Sequence, residues 1–542
     1  MAKPRVLAAS DAAELIPDGA IVTVSSSSGL GCPDAVLAAI GARFDTHGHP
    51  RNLTTLHPIA AGDMWGVKGI DHIAKAGCLA RVLAGSYPSG PSSAEPPAIW
   101  KMVSDDAIPC YNVPSGILFD LHREAAAKRP GVLTKVGMDT FVDPNHEGCA
   151  MNAKAGVAPI VSRVNFAGDD WLFFPTIVPN VAIIRATTAD ERGNLSYEHE
   201  GGILGPLDQA LSVRNNGGLV IAQVKRLAAA GSLRPHDVVV PGVLVDVIVV
   251  VPDQKQTTNT PYDPAISGEI FRPLSTFEAP AFGVGKTIAR RVAQELRDGD
   301  AVNIGFGISA NVPRILIEEG HHGAVTWMIE QGAVGGIPLL DFQFGCASNA
   351  EAIVPSPAQF TYFQGGGFDM SLLSFLQVDR HGCVNVSKLG SRPHVTAGAG
   401  GFVDITARAK KIVFSGFFTA GAALEIQDGA LHIAREGKVK KLVETVEQIS
   451  FSGRRAVQQG QEIVYVTERC VMRLEPAGLT VMEIAPGVDL ERDVLAQSEF
   501  PLRVSAHLKT MDANLFHSEP IRLRLRPAMR RRRQQGRLRW IL

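Results

Sequence analysis

Residues 329–338 read IEQGAVGGIP, and Glu330 is the single carboxylate between the apolar run AVTWMI (324–329) and a loop holding Gly332, Gly335, Gly336 and Pro338. Such a run reads as a buried strand, so its next residue emerges at the strand's carboxyl end, where open α/β sheets place their ligand crevices. Glycines that follow let the backbone come close to a bulky ligand, because no Cβ stands in the way. A carboxylate held there is placed for nucleophilic catalysis; the other reading is a glutamate that marks the strand end and solvates the turn. Two glycine clusters in the same half, FQGGGFDM (363–370) and TAGAGGFVDIT (396–406), favour the chemical reading. Consecutive glycines present backbone N–H groups to a developing oxyanion or to phosphates.

The elements that would position these residues are short β-branched runs alternating with helical patterns. AIVTVS (20–25) precedes DAVLAAIGARF (34–44), and AVNIGFG (301–307) precedes VPRILIEEG (312–320). This alternation predicts an α/β fold with mainly parallel sheets. Asp18-Gly19, Val22 and Pro33 match Asp298-Gly299, Val302 and Pro313 at one constant offset. A second echo pairs TTADERGNLS (187–196) with LQVDRHGCVN (376–385). The chain therefore reads as two related halves, residues 1–251 and 281–520. Between them lies a polar, Pro- and Thr-rich stretch, 252–280, read as a linker or a long extended crossing.

At 542 residues the chain exceeds one ordinary domain, and 45% hydrophobic with 20% charged residues fits a soluble protein with at least two cores. A net charge of -1, from 53 basic and 54 acidic residues, gives no electrostatic reason to expect a membrane or specific nucleic acid as partner. The seven scattered cysteines, none in CxxC spacing, suggest neither a disulfide framework nor a zinc site, and the expected location is cytoplasmic. The N-terminal stretch reaches charge and proline before any apolar core of secretory length. The most hydrophobic segment, DVVVPGVLVDVIVVVP (237–252), is broken by Pro241 and Asp246 and reads as buried strands.

PAFGVGKT (280–287) ends like a phosphate-binding loop, but Pro280 stands where the first glycine belongs, so it reads as a loop capped into a helix by Thr287. No HExxH, EF-hand, GxSxG or kinase pattern occurs, which points away from the commonest metal, serine-hydrolase and phosphoryl-transfer chemistries. His321-His322 reads as a polar turn rather than a metal site, since adjacent side chains diverge. The tail at 521–542, rich in arginine and free of acid, reads as solvated and disordered.

Taken together, E-x-G-x-x-G-G-x-P at 330–338, GGGFD at 365–369 and GAGGFVDI at 398–405 resemble the family I coenzyme A-transferases. The similarity is to the fused single-chain acetate and propionate branch. REAAAKRPGVLTKVGMDTFVDP (123–144), VIAQVKRLAAAGSL (220–233) and IAPGVDLERDVLAQ (484–497) agree with that branch, and the likeness extends to about Phe516. It implies two related open α/β domains with the active site at their interface, Glu330 as covalent nucleophile and no cofactor or metal, coenzyme A thioester being the substrate. Backbone N–H groups near Gly400 and Gly401 are the implied oxyanion donors, with Gly398, Ser115, Gly366 and Gly367 as further acyl-CoA-binding candidates. Ser115 stands where the family carries a glutamine, and Ser374 where a glycine is common, departures that bear on the acyl substrate.

The implied reaction exchanges CoA between a short-chain acyl-CoA and a carboxylate such as acetate, by a ping-pong route through a glutamyl-CoA thioester. The resemblance also implies a homo-oligomer and a place in short-chain fatty acid or ketone body metabolism. An acyl-CoA hydrolase on the same scaffold and a noncatalytic acyl-CoA-binding protein are the alternatives.

Overall fold

The computed structural model describes residues 3–88, 96–390 and 393–527. In the N-terminal half the main path of one sheet runs Arg5–Leu7, Val247–Val250, Leu219–Ala228, Val181–Asp190, Ile21–Val24, Leu53–His57, Leu79–Ala84, Cys110–Asn112, with every neighbouring pair parallel. Its central strand Val181–Asp190 is buried at all positions. That burial explains why VAIIRATTAD lacks two-residue alternation: both faces are covered.

The C-terminal half carries a ten-stranded sheet in the order Ala352–Ile353, Ala333–Val334, Thr326–Met328, Ala301–Ile304, Met370–Ser374, Lys411–Ser415, Glu462–Val466, Cys470–Glu475, Gly478–Ile484, Arg503–Thr510. Its five strands from Thr326–Met328 to Glu462–Val466 are parallel. Antiparallel strands extend both edges, and the outermost strand, Arg503–Thr510, pairs in parallel with Gly478–Ile484.

The internal repeat is structural. Val22 lies between Val181 and Thr55, and Val302 takes the same place between Met370 and Trp327. The second echo is one turn built twice. Asp190 Oδ1 accepts from Arg192 N and Asn194 N, each at 2.9 Å, and Asp379 Oδ1 accepts from His381 N and Cys383 N, each at 2.9 Å. The protein is thus two related open α/β domains in one chain.

Residues 237–252 form two short strands, Val238–Val240 and Val247–Val250, interrupted at Pro241. The 252–280 stretch contains no strand and one 3-10 turn, Leu274–Thr276, yet it is tied down, with Gln256 Nε2 donating to His199 O at 2.8 Å. The PAFGVGKT segment differs from expectation. Gly283 occupies the cap of helix Val284–Ala293, while Thr287 lies inside the first turn and donates back to Gly283 O at 3.3 Å. Lys286 is paired with Glu318 at 2.7 Å and so does not await a phosphate.

The start of the tail also departs from a solvated segment. Ile521 and Leu523 are buried in the C-terminal core, and Glu319 accepts from their backbone N–H groups at 2.7 and 2.9 Å. Two apolar side chains in the IRLRLR alternation face inward while arginines face out. The remainder of the expected disordered tail, 528–542, lies outside the described residues. His321 is part of the same docking, its Nε2 lying 2.9 Å from Leu523 O. Among the described residues no helix is long and apolar enough to cross a membrane.

Candidate active site

Glu330 stands two residues past strand Thr326–Met328, at the carboxyl end of the C-terminal sheet. Trp327 is fully buried, and the end of this strand is pinned sideways, Asn303 Nδ2 donating to Met328 O at 3.1 Å while Ser371 Oγ holds Asn303 Oδ1 at 2.8 Å. A tight turn follows: Gly332 N donates to Ile329 O and Ile329 N to Ala333 O, each at 2.9 Å. Gly332 has φ +112°, and a Cβ there would stand 1.9 Å from Val354 O, so only glycine fits the corner that presents Glu330.

The carboxylate of Glu330 faces backbone. A Cβ on Gly401 would lie 2.3 Å from Glu330 Oε2 and 2.7 Å from Phe360 Cε1. Burial pushes the Glu330 carboxyl up to about 7, against a lowering hydrogen bond from Gln331. Gln331 Nε2 donates to Glu330 Oε1 at 3.1 Å and to Ser27 Oγ at 3.0 Å, joining the nucleophile candidate to the N-terminal domain. The Gln331 side chain is wedged beside Gly345, where a Cβ would stand 2.9 Å from its amide carbon.

The 397–401 loop closes the site from the C-terminal domain by docking on the N-terminal one. Tyr87 N donates to Ala397 O at 2.7 Å, Ala399 N to Asn112 Oδ1 at 2.8 Å, Gly400 N to Gly85 O at 2.7 Å, and Ser115 N to Gly400 O at 3.1 Å. Gly398 packs on the Asn112 amide, a Cβ there falling 3.0 Å from it. Gly398 and Gly400 therefore serve the docking of the loop. Because the Gly400 N–H is spent on Gly85 O, it does not reach an oxyanion in this arrangement; the Gly401 N–H, with no partner among the described residues, is the one beside Glu330.

Ser115 is brought to the site. It is fully buried at the first position of helix Ser115–Ala126, and its Oγ has no partner among the described residues. Gly366 and Gly367 are not brought in. They form the turn after helix Ser356–Gln364, donating to Phe363 O at 2.9 Å and Tyr362 O at 3.1 Å, before the amino end of strand Met370–Ser374. That is the end of the sheet opposite Glu330, so these two glycines serve a helix stop rather than acyl-CoA. Ser374 stands at the carboxyl end, its Oγ donating to Phe306 O at 3.2 Å.

Sequence reasoning gave no role to Gln331, Ser27 or Asp404. Gln331 sits inside the E-x-G motif, and Asp404 inside GAGGFVDI, so both were in view as spacers. What distinguishes them is burial: Gln331 is 3% exposed and Asp404 is fully buried. A polar side chain that is buried needs a partner, and here the partners are the other domain and the nucleophile candidate.

Two related open α/β sheets, with a half-buried carboxylate where they meet, define a class of acyl-transferring enzyme. The chain belongs to the coenzyme A transferase family: the family model described as Coenzyme A transferase matches residues 6–251, and whole-length relatives extend the match to the second half. The chain is 42% identical over 520 residues to the caffeate CoA-transferase of Acetobacterium woodii, covering 94% of this chain and 97% of that one. It is 37% identical over 515 residues to the acetate CoA-transferase YdiF of Escherichia coli strain K12, covering 94% and 95%. The crystal structure of the acyl-CoA transferase YdiF from E. coli O157:H7, a thioester complex with CoA, superposes with TM-score 0.90 at 35% identity, covering 97% of this chain and 98% of that one.

Proposed function

We propose that this CoA-transferase exchanges CoA between a short-chain acyl-CoA and a carboxylate such as acetate, with Glu330 as its covalent nucleophile. The observation that carries the reading is the Glu330 carboxylate itself, half-buried and pressed against the Gly401 backbone at the end of a pinned strand, with one amide donor and no cation among the described residues. Such a carboxylate is poorly solvated, which favours attack over resting as an anion.

In the first step a Glu330 oxygen bonds to the acyl carbonyl carbon, the C–S bond breaks, and CoA leaves as thiolate from a mixed anhydride. The thiolate then attacks the Glu330 carbonyl carbon. The anhydride C–O bond on the glutamyl side breaks, and the acyl group departs as a carboxylate carrying that glutamate oxygen. Charge is conserved throughout. An incoming carboxylate reverses both steps. Each tetrahedral intermediate carries an oxyanion, for which the Gly401 N–H and the Ser115 hydroxyl are the proposed donors. The remote parts of CoA supply binding energy that holds the reacting thioester in place.

A second reading of acid scope is favoured by aromatic side chains that pair with Phe342 and Phe344, on the segment leading to Gly345, which packs against Gln331. Trp65 and Phe306 are 47% and 59% exposed, and edge-to-face pairs form between Trp65 and Phe342 at 5.2 Å and between Phe306 and Phe344 at 5.5 Å. Such rings suit an aromatic acid as acceptor, and one relative is named for caffeate. The cytoplasmic location rests on the scattered cysteines, and the homo-oligomer and the place in short-chain fatty acid or ketone body metabolism rest on the family resemblance alone.

The test is product analysis. With propionyl-CoA and acetate, the reading predicts acetyl-CoA in proportion to propionate, abolished by Glu330→Ala; replacing acetate by caffeate ranks the two acid classes. Free CoA released at the same rate without any acceptor acid identifies a hydrolase instead, and neither product identifies a binding protein.

A further inference from the structure

Behind Glu330 lies a buried carboxyl that the transfer chemistry leaves unused. Asp404 is fully buried in helix Phe402–Thr406, three residues after Gly401, so one helical turn separates it from the backbone that Glu330 faces. Its Oδ2 accepts from Gly116 N at 3.0 Å, the first turn of helix Ser115–Ala126 in the other domain, and its Oδ1 accepts from Gln364 Nε2 at 3.0 Å. Gly116 is pressed against it: a Cβ there would stand 2.5 Å from Asp404 Oδ1. Asp404 therefore caps, from the C-terminal domain, the N-terminal domain's helix that begins at Ser115.

The groups around Asp404 leave it without a cation. From helix Ser115–Ala126 it meets Asp120, from helix Ser356–Gln364 only the Gln364 amide, and from the strand end Glu330. Arg123, one turn beyond Asp120, is spent on Asp208 at 2.9 Å and Asp120 at 3.5 Å, and Glu124 beside it is acidic. Burial pushes Asp404 up to about 7, partly opposed by the Gln364 and Gly116 donors, with the charges of Asp120 and Glu330 adding to the rise.

We propose that Asp404 is a positioning residue for the transfer reaction: it ties the Ser115 helix to the C-terminal domain behind Glu330, so that Gly401, Ser115 and Glu330 keep their mutual placement. The inference rests on the reading of Glu330 as nucleophile.

Two variants test this. Asp404→Asn, which keeps an acceptor for the Gly116 N–H, is expected to retain kcat within about threefold, whereas Asp404→Ala, which removes it, is expected to lower kcat about tenfold with KM for acyl-CoA little changed. Near-wild-type kcat in folded Asp404→Ala, or an equal loss in Asp404→Asn, overturns the proposal while leaving Glu330 as nucleophile. No borohydride-sensitive thioester in wild type overturns both.

Discussion

Gly401 and Glu330 are in a contact that admits no side chain: a Cβ on Gly401 would stand 2.3 Å from Glu330 Oε2. The backbone at Gly401 has φ -84°, which alanine adopts freely, so Gly401→Ala strains the contacts with Glu330 and the Phe360 ring rather than the backbone. The variant is expected to lose about 10²- to 10³-fold in kcat, the cost of misplacing an oxyanion donor. Melting and steady-state assays on the same preparation check it. Near-wild-type turnover in folded Gly401→Ala would place the oxyanion elsewhere.

Gln331 donates to Glu330 and Ser27 through one nitrogen. Gln331→Glu replaces that donor with a second carboxylate, which raises the Glu330 carboxyl further. The acid limb of kcat/KM is expected to move up by about one pH unit or more, with activity regained at high pH. An unmoved limb would mean that the Gln331 amide does not report on the nucleophile.

The raised Glu330 carboxyl has two consequences of opposite sign. Activity needs the anion, so kcat/KM for acyl-CoA should fall roughly tenfold per pH unit below about 7. Stability behaves the other way. A folded-state carboxyl lifted from 4.5 to about 7 binds its proton more tightly than the unfolded chain does, so stability is lost as pH rises through that window. Glu330→Gln is therefore expected to match wild type near pH 4 and to be more stable at pH 8, by on the order of 1–3 kcal/mol. Melting curves at the two pH values decide it; a variant less stable than wild type at pH 8 would contradict the buried-charge account.

Away from the site, the Glu319 carboxylate anchors the start of the tail through two backbone N–H groups. Glu319→Ala leaves both without that acceptor and is expected to lower Tm by roughly 2–5 °C, with thioester formation unchanged. Unchanged Tm would mean that residues 521–527 contribute nothing to the C-terminal core.

Glu330 stood out because an apolar run ends there in a lone carboxylate before glycines, a pattern that fits a strand end as well as a nucleophile, and the catalytic role came from the family resemblance. The twofold build was legible because Asp18-Gly19 and Asp298-Gly299 precede matching central strands, so one local pattern reports on one topological position. The edges of the C-terminal sheet were not, since two-residue strands such as Ala333–Val334 take their pairing from neighbours rather than from their own sequence.

Among the glycines the limit was sharper. Gly366, Gly400 and Gly401 look alike in sequence, yet one ends a helix, one docks on Gly85 and one faces Glu330. Which N–H remains free depends on residues hundreds of positions away. Asp404 was hidden for the same reason: its partner Gly116 lies in the other domain, and an aspartate in a short helix carries no local mark of burial. Thr287 misled by composition, since a threonine near a helix start reads as a cap, whereas Gly283 holds that position.

The most direct test of the central claim is the intact mass of the purified protein after propionyl-CoA and then borohydride, with and without acetate, beside Glu330→Ala. The account predicts a mass loss matching reduction of one carboxyl to an alcohol, dependent on acyl-CoA and borohydride, diminished by acetate and absent from the variant. An unchanged mass in folded wild-type protein across several acyl-CoAs would contradict a glutamyl-CoA thioester at Glu330.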